Sequence, residues 1–523
     1  MPEIKNIVFI LPDQNRFSAN FSTFQVGGFR LPHLGLLIIG EMLRIKGYNV
    51  IVYEEKIKPV TMDDINGADL VGISIQTLTS IRGYQLAEQI RKKFKIPVVI
   101  GGTHATLNPD EAVHYADYVV RNEGEYTFFD LLEALENNLS IDDILGISFM
   151  ENGEIYHNPA RPFIENLDEL PYPNWKLIKG MFKTKETMIN SFVYPIQVTR
   201  GCPFDCTFCS VTPTFGKKFR YRSVESVVDE LKKNRKRSQK FVFFYDDNIV
   251  GNKRYLKDLL AALIDYDVVP EAWHSQMRAD VAKDDELLEL MEKTNCAIGT
   301  FGFESINPES LKKMKKGQTI DIIENCIEKM HEHKIYVNGF FVFGFEGEDV
   351  NTIRRTVEFA RKKKIDTIGL MPLTPFPGTP QFKELKDQIF THFWELYDVQ
   401  HVVYYPDNMT PYELYIETLN GYLNFYNPKG REFFKIKKID RPGFFFKLDS
   451  VFEILVANWS FRSYLLYQFE LMANNRYIKY LKSLPDSPPE DISELPDFSL
   501  ENEHLGLHKI LKKRYEQKMS RLA

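Results

Sequence analysis

The sequence predicts an α/β protein in three parts: a doubly wound, mainly parallel sheet, a partial (β/α)6 barrel and a mostly helical C-terminal part. Three observations predict it. Apolar strands alternate with helical stretches twice along the chain, a proline-rich break separates the two runs, and after Pro380 the alternation gives way to Tyr- and Phe-rich helical sequence. A length of 523 residues agrees, since ~150 residues per domain suggests three or four. The resulting boundaries are 1–160, a linker at 161–192, 193–382 and 383–523.

In the first run, Ile7 to Leu11 reads as a strand, Gly35 to Lys46 as a helix and Asn49 to Tyr53 as a strand. Leu70 to Ile75 (strand), Ser80 to Lys93 (helix), the strands Val98 to Ile100 and Tyr118 to Arg121, and a helix from Glu125 follow. Asn152-Gly153 centres a hairpin over 146–160, because both residue types accept the positive φ of a tight turn. Pro159, Pro162, Pro171 and Pro173 mark the linker. In the second run, the strands are Tyr194 to Val198, Lys240 to Phe244, Ala272 to Gln276, Ala297 to Phe303, Tyr336 to Phe343 and Thr367 to Met371. Helical stretches separate them. These units fall short of the eight that close a complete barrel, so the barrel is expected to be open.

Composition narrows the function. With 44% hydrophobic and 26% charged residues the chain has material for sizeable cores and no signature of global disorder. A net charge of -6 gives no general attraction to phosphate backbones, so no nucleic-acid partner is expected. No apolar run approaches the ~20 residues that span a bilayer. The opening Met-Pro-Glu-Ile-Lys lacks a leader pattern, and a cytoplasmic location is expected. Five cysteines cannot form a disulfide framework in so long a chain, and point to ligation or catalysis.

Cys202, Cys206 and Cys209 form a C-x3-C-x2-C loop directly after the first barrel strand. A cubane iron–sulfur cluster takes four cysteines, so three leave one iron open to a substrate. A structural zinc site needs four protein ligands, and no fourth candidate lies nearby in sequence. Cys296 and Cys326, among apolar neighbours, read as small buried hydrophobes, so a single cluster is expected.

With the aromatic Phe208 before its last cysteine, this loop resembles that of the radical S-adenosylmethionine (SAM) superfamily. The resemblance implies a 4Fe-4S cluster whose open iron chelates SAM and cleaves it reductively to a 5'-deoxyadenosyl radical. It extends to Phe244-Tyr-Asp246-Asp247-Asn248, where the family contacts the SAM amino group, to Gln276-Met-Arg278, to Glu304-Ser305 and to the glycine motif around Gly344. SAM carries an ammonium, a carboxylate and a ribose diol. Glu304 and Ser305 suit the ribose or ammonium, and Arg278 the carboxylate. A proline is more usual where Glu346 stands.

In the first domain Thr77, Thr79 and Ser80 follow one strand, Gly101, Gly102 and His104 a second, and Glu123, Gly124 and Glu125 a third. Ligands of open α/β sheets bind in the crevice outside the carboxyl ends of the strands, where glycines permit close approach. No G-x-G-x-x-G is present, which disfavours a dinucleotide. Ahead of such a barrel, Leu31-Pro-His33-Leu-Gly35, Gly-Gly-x-His104 and Glu-Gly-Glu resemble the Rossmann-like cobalamin-binding domain of class B radical SAM enzymes. The D-x-H-x-x-G that supplies an imidazole to cobalt is missing, so cobalamin is expected without a histidine ligand, with His104 in the loop that cradles the nucleotide tail.

In the third part the run from His392-Phe-Trp394 to Tyr405-Pro-Asp-Asn-Met409-Thr-Pro resembles the C-terminal region of class B enzymes that act on lipids and other hydrophobic substrates, such as hopanoid C-2 methylases, and of relatives that close rings. The resemblance implies a cobalamin-dependent methyltransferase acting on an unactivated carbon of a lipid-like small molecule, with a flavodoxin- or ferredoxin-type electron donor. Ring closure, rearrangement or C–C coupling with the same cofactors is the alternative. A non-enzymatic iron–sulfur sensor or electron carrier is the alternative of another class. Cations from Lys429 to Lys447 give this part a basic face. A basic amphipathic helix from Leu505, with Leu507, Ile510, Leu511 and Tyr515 at helical spacing, either docks on the protein or lies on an anionic membrane.

Overall fold

Runs of β-branched and aromatic residues build the first sheet of this computed structural model, which describes residues 4–13, 33–181, 193–238, 240–426, 475–492, 495 and 498. Its strands are β1 (Asn6–Leu11), β2 (Asn49–Glu54), β3 (Leu70–Ser74), β4 (Val98–Gly101), β5 (Tyr118–Val120), β6 (Ile147–Glu151) and β7 (Glu154–His157). They lie in the order β2-β1-β3-β4-β5-β6-β7, parallel through β5 and antiparallel beyond. The order reverses between β1 and β3, which makes their carboxyl ends the switch point where a crevice opens. Ile7, Val8, Phe9 and Ile10 of β1 are all buried, as expected of a central strand covered on both faces. Each fully buried side chain of this kind contributes about 1.5–3 kcal/mol. Asn152 and Gly153 both have positive φ, 51° and 85°, and turn β6 into β7.

The proline-rich stretch is packed as far as it is described. Leu167, Trp175, Leu177 and Ile178 are buried, and the Lys179 amide donates to Val52 O at 2.9 Å, continuing from the edge strand β2. Prolines here prevent helix and ladder formation without freeing the segment from the core.

The second sheet holds β8 (Tyr194–Ile196), β11 (Phe241–Phe244), β12 (Ala272–Met277), β13 (Cys296–Glu304), β14 (Tyr336–Phe343) and β15 (Thr367–Pro372). All pair in parallel in the order β15-β14-β13-β12-β11-β8, and β8 does not pair with β15, so the barrel is open. Between the first two of these strands, β9 (Thr199–Arg200) and β10 (Arg220–Tyr221) form a short antiparallel ladder. The outer helices follow from caps and periodicity. In Val350–Lys362 the Asp349 side chain accepts from Thr352 N, and Ile353, Val357 and Ala360 recur on the buried face.

An open barrel leaves β15 as an edge with unpaired amides, and the third part covers it. Helix Pro411–Phe425, opened by a capping box of Thr410 and Glu413, packs on β15 and on helix Val350–Lys362. Ile368 N donates to the Tyr426 hydroxyl at 2.9 Å and Leu370 N to that of Tyr422 at 2.7 Å. A further helix spans Asn475–Ser483. The basic stretch 429–447, the aromatics Phe433 to Phe461, the tail from Leu505, and Leu31 and Pro32 lie outside the described residues. Among the described residues no helix is long and apolar enough to cross a membrane.

Candidate active site

The cysteines sit on a loop that the chain ties off at its base. The β9–β10 ladder brings Arg200 opposite Arg220, and Gly201 follows with φ +86°. A Cβ on Gly201 would lie 2.4 Å from Lys218 O, so only glycine fits this neck. Cys202 N then donates to Gly216 O at 3.2 Å, and Cys209 N to Cys206 O at 3.2 Å, which turns the second and third cysteines about one bend. All three are half-buried free thiols. Burial pushes Cys202 up and Cys209 up to about 12, reinforced by the charge of neighbouring Cys206. Such thiols ionise when a metal takes the place of their protons.

Their number, three thiols from one loop, suits a cubane with one open iron. Among the described residues no three His, Cys, Asp or Glu side chains converge on one metal point, as a closed zinc tetrahedron would require. Cys296 and Cys326 are buried elsewhere, in β13 and in helix Ile320–Glu332.

Around this loop the expected SAM residues divide into two groups. Asp246 is committed to the strand exit. Its carboxylate accepts from Thr199 N at 2.5 Å, Thr199 Oγ1 at 2.6 Å and Val198 N at 3.2 Å, and burial holds it up at about 7. Asp247 is instead open to solvent, though protein surrounds it on most sides and raises it to about 6, and its charge acts on Cys202 and Cys209. Asn248 is buried, and among the described residues neither its amide nitrogen nor its oxygen has a hydrogen-bond partner. An unpaired buried amide costs about 1–3 kcal/mol, and a ligand with both a donor and an acceptor would recover that. SAM has an ammonium and a carboxylate, so the site fits it.

Gln276 lies half-buried near the end of β12. Arg278 does not present an empty fork: its guanidinium stacks 3.7 Å over Phe204 and donates to Lys316 O. Glu304 is buried and accepts from Lys316 Nζ at 2.6 Å. Ser305 is fully buried and donates to Glu348 Oε1 at 2.7 Å, so its hydroxyl proton is already used within the protein. Glu348 also accepts from Gly344 N at 3.1 Å, while the Tyr404 hydroxyl donates to Gly344 O at 2.5 Å. Ser305 and Gly344 therefore build the loop after β14. Phe208 meets Phe345 edge-on at 5.9 Å in the same region.

The first domain corrects several expectations. His104 does not line an open loop. It is fully buried, with Nδ1 3.3 Å from Thr77 Oγ1 and Nε2 3.4 Å from Glu111 Oε1, and its ring lies 5.2 Å from that of Trp394. Trp394 Nε1 donates to both Glu111 oxygens at 3.0 and 3.1 Å. Thr79 bonds back to Gln76, and Ser80 Oγ donates to Thr77 O at 2.9 Å. Glu123 and Glu125 face arginines of the barrel. Glu123 accepts from Arg200 at 3.0 Å and Arg220 at 2.8 Å, and Glu125 from Arg200 at 2.7 Å, all four side chains being buried. Gly101 and Gly102 remain at the carboxyl end of β4, and Gly102 has φ +96° with Ile75 O only 2.6 Å from where a Cβ would stand. Gly124 opens helix Gly124–Asn137. Gly102 therefore serves close packing against the Ile75 backbone, and Gly124 packs against Val120 and Ile39.

The two sites meet. Asn122 Nδ2 donates to Thr214 O at 2.9 Å, and helix Thr103–Leu107 packs on Val211–Phe215, the segment after Cys209. Sequence reasoning missed Arg200, Arg220, Lys316, Glu348 and Trp394. Arg200 carried one signal, its place directly before Gly201-Cys202.

Comparison with known proteins places both halves. The model of the Radical SAM superfamily matches residues 196–360 and that of the B12 binding domain residues 24–132. The chain is 30% identical to bacteriochlorophyllide d C-12(1)-methyltransferase of Chlorobaculum tepidum over 377 residues, 71% of this chain and 78% of the relative. It is 24% identical to hopanoid C-3 methylase of Methylococcus capsulatus over 484 residues, 88% of this chain and 89% of the relative. In fold it resembles the cobalamin-dependent S-adenosylmethionine radical enzyme OxsB solved with aqua-cobalamin and SAM, with a TM-score of 0.65 and 15% identity, covering 94% of this chain and 78% of that one.

Proposed function

This chain belongs to the radical SAM enzymes that carry a B12-binding domain, with a 4Fe-4S cluster, SAM and cobalamin as cofactors, and on that premise we propose that it methylates an unactivated carbon of a hydrophobic, lipid-like substrate. One observation carries the reading: the carboxyl edge of the first sheet abuts the cysteine loop through Asn122, Glu123 and Glu125. When bound, SAM at the cluster supplies a hydrogen-abstracting radical and cobalamin a methyl group. Two groups that must act on one carbon need a shared seam, since reacting atoms must come within about 3–3.5 Å.

In this reading Cys202, Cys206 and Cys209 ligate three irons, while Asp247 and Asn248 take the polar ends of SAM. Gln276, Arg278 and Glu304 wall the pocket. Gly101, Gly102 and Gly124 stand at the strand ends that receive the corrin, within a domain spanning 1–160, and 193–382 and 383–523 form the barrel and the substrate-covering part. The relatives named for a hopanoid and a bacteriochlorophyllide support a large apolar substrate. The basic stretch 429–447 and the tail from Leu505 support a peripheral contact with an anionic membrane, where such a substrate is met. A flavodoxin- or ferredoxin-type protein delivers the electron.

The test uses anaerobically reconstituted protein, a low-potential reductant, methyl-labelled SAM and a lipid extract. Equal amounts of 5'-deoxyadenosine and S-adenosylhomocysteine, with a labelled product heavier by one CH2 unit, are expected. A product of unchanged carbon count would overturn methylation, and no 5'-deoxyadenosine would overturn the radical step.

A further inference from the structure

Leu311-Lys-Lys-Met-Lys-Lys316 contains four lysines, of which Lys312, Lys313 and Lys315 are exposed and Lys316 is buried. A buried ammonium needs compensation, and considerable structure is devoted to giving it. Register slips between β13 and β14 at Gly302/Glu304, and Glu304 adopts φ +64°, a conformation an L-residue holds at a cost of about 1–3 kcal/mol. That bulge aims the Glu304 carboxylate at Lys316 Nζ, 2.6 Å away. Gly302 makes room, because a Cβ there would lie 2.3 Å from Glu304 Oε1 and 2.9 Å from Lys316 Nζ.

The pair is pinned to the cysteine loop. Thr207 N, next to Cys206, donates to Met314 O at 3.3 Å. Arg278 stacks on Phe204, between Cys202 and Cys206, and donates to the Lys316 carbonyl. Charge on Cys206 acts on Lys316, and the Arg278 charge acts on Cys202. Two cations are thus tied, through a backbone hydrogen bond and a ring contact, to the loop that carries Cys202 and Cys206.

We propose that Lys316, held by Glu304 and seconded by Arg278, is a positioning residue whose fixed positive charge raises the reduction potential of the cluster. The inference rests on the reading of Cys202, Cys206 and Cys209 as cluster ligands. Reduction adds one electron from a low-potential one-electron donor and no proton, so the cluster gains one negative charge, which a nearby buried cation stabilises.

The experiment is a redox titration followed by electron paramagnetic resonance, on the full chain reconstituted with iron and sulfide and without SAM. Lys316→Met is expected to lower the reduced-to-oxidised ratio at least tenfold at the wild-type midpoint, about 59 mV for one electron. Lys316→Arg should stay within about threefold of wild type, and Glu304→Gln, which removes the counter-charge, should shift the opposite way. An unchanged potential in Lys316→Met, or shifts of the same sign in Lys316→Met and Glu304→Gln, would overturn the proposal. If Lys316→Met retains no iron, the sign of the Glu304→Gln shift decides alone, a positive shift supporting the charge effect and any other overturning it. A wild-type chain that binds no iron fails the cluster reading itself, and the iron count registers this before any potential is measured.

Discussion

The two strand-end regions of this molecule place similar residues in opposite circumstances. At the carboxyl edge of the first sheet, Glu123, Glu125, His104 and Thr77 are buried and hydrogen-bonded to other protein groups. At the barrel mouth, Asn248 is just as buried and its amide has no partner among the described residues, while Asp247 stands open to solvent. The difference teaches that a polar residue at a strand end marks a ligand only when the protein has not already satisfied it. At the first strand ends the polar side chains are spent on the protein itself, whereas at the second the amide of Asn248 is left over.

Experiments that remove one group from each region would sharpen or break this contrast. The largest effect is expected from Cys206→Ala, which should abolish both cluster iron and 5'-deoxyadenosine formation while the circular dichroism spectrum is retained. Glu123→Ala comes next. It strands Arg220 in the interior while Arg200 keeps Glu125, and a loss of about 3–5 kcal/mol in urea unfolding is expected, because breaking a buried ion pair leaves uncompensated charge. Unfolding within ~0.5 kcal/mol of wild type would show that Glu123 was facing a ligand. His104→Ala should cost roughly 2 kcal/mol through lost packing and unpaired neighbours, yet leave the absorption spectrum of bound cobalamin unchanged. A spectral change would place an imidazole at the cobalt. The smallest effect on the fold is expected from Asn248→Ala: stability within ~1 kcal/mol of wild type, with SAM affinity falling about tenfold, or ~1.4 kcal/mol, by equilibrium dialysis.

Much of the architecture was legible because it rests on local pattern. Apolar runs such as Ile7 to Leu11 and the Asn152-Gly153 turn carry their own signal, and the three-cysteine spacing identifies its loop without help from the rest of the chain. Side-chain partners were not legible. Glu123-Gly-Glu125 reads the same whether it meets a ligand or an arginine, and Arg200 is 75 positions from Glu125. The run of lysines at 312–316 gives no hint of which one turns inward, because Lys315 takes φ +54° and breaks the helical periodicity. The proline-rich linker misled for a related reason: composition reports that a segment is irregular, and only tertiary contacts decide that Trp175 and Ile178 are buried.

The indole of Trp394 closes over His104 and Glu111, and its bond to Glu111 spans 283 positions. That separation has a temporal side. Chains emerge from the ribosome at about 5–20 residues per second, so the nascent first domain waits roughly 15 to 60 s for the ring that completes its interior. Until then a histidine and a carboxylate stay wet at its rim, which makes this domain's maturation a late step in biosynthesis although its strands are the earliest made.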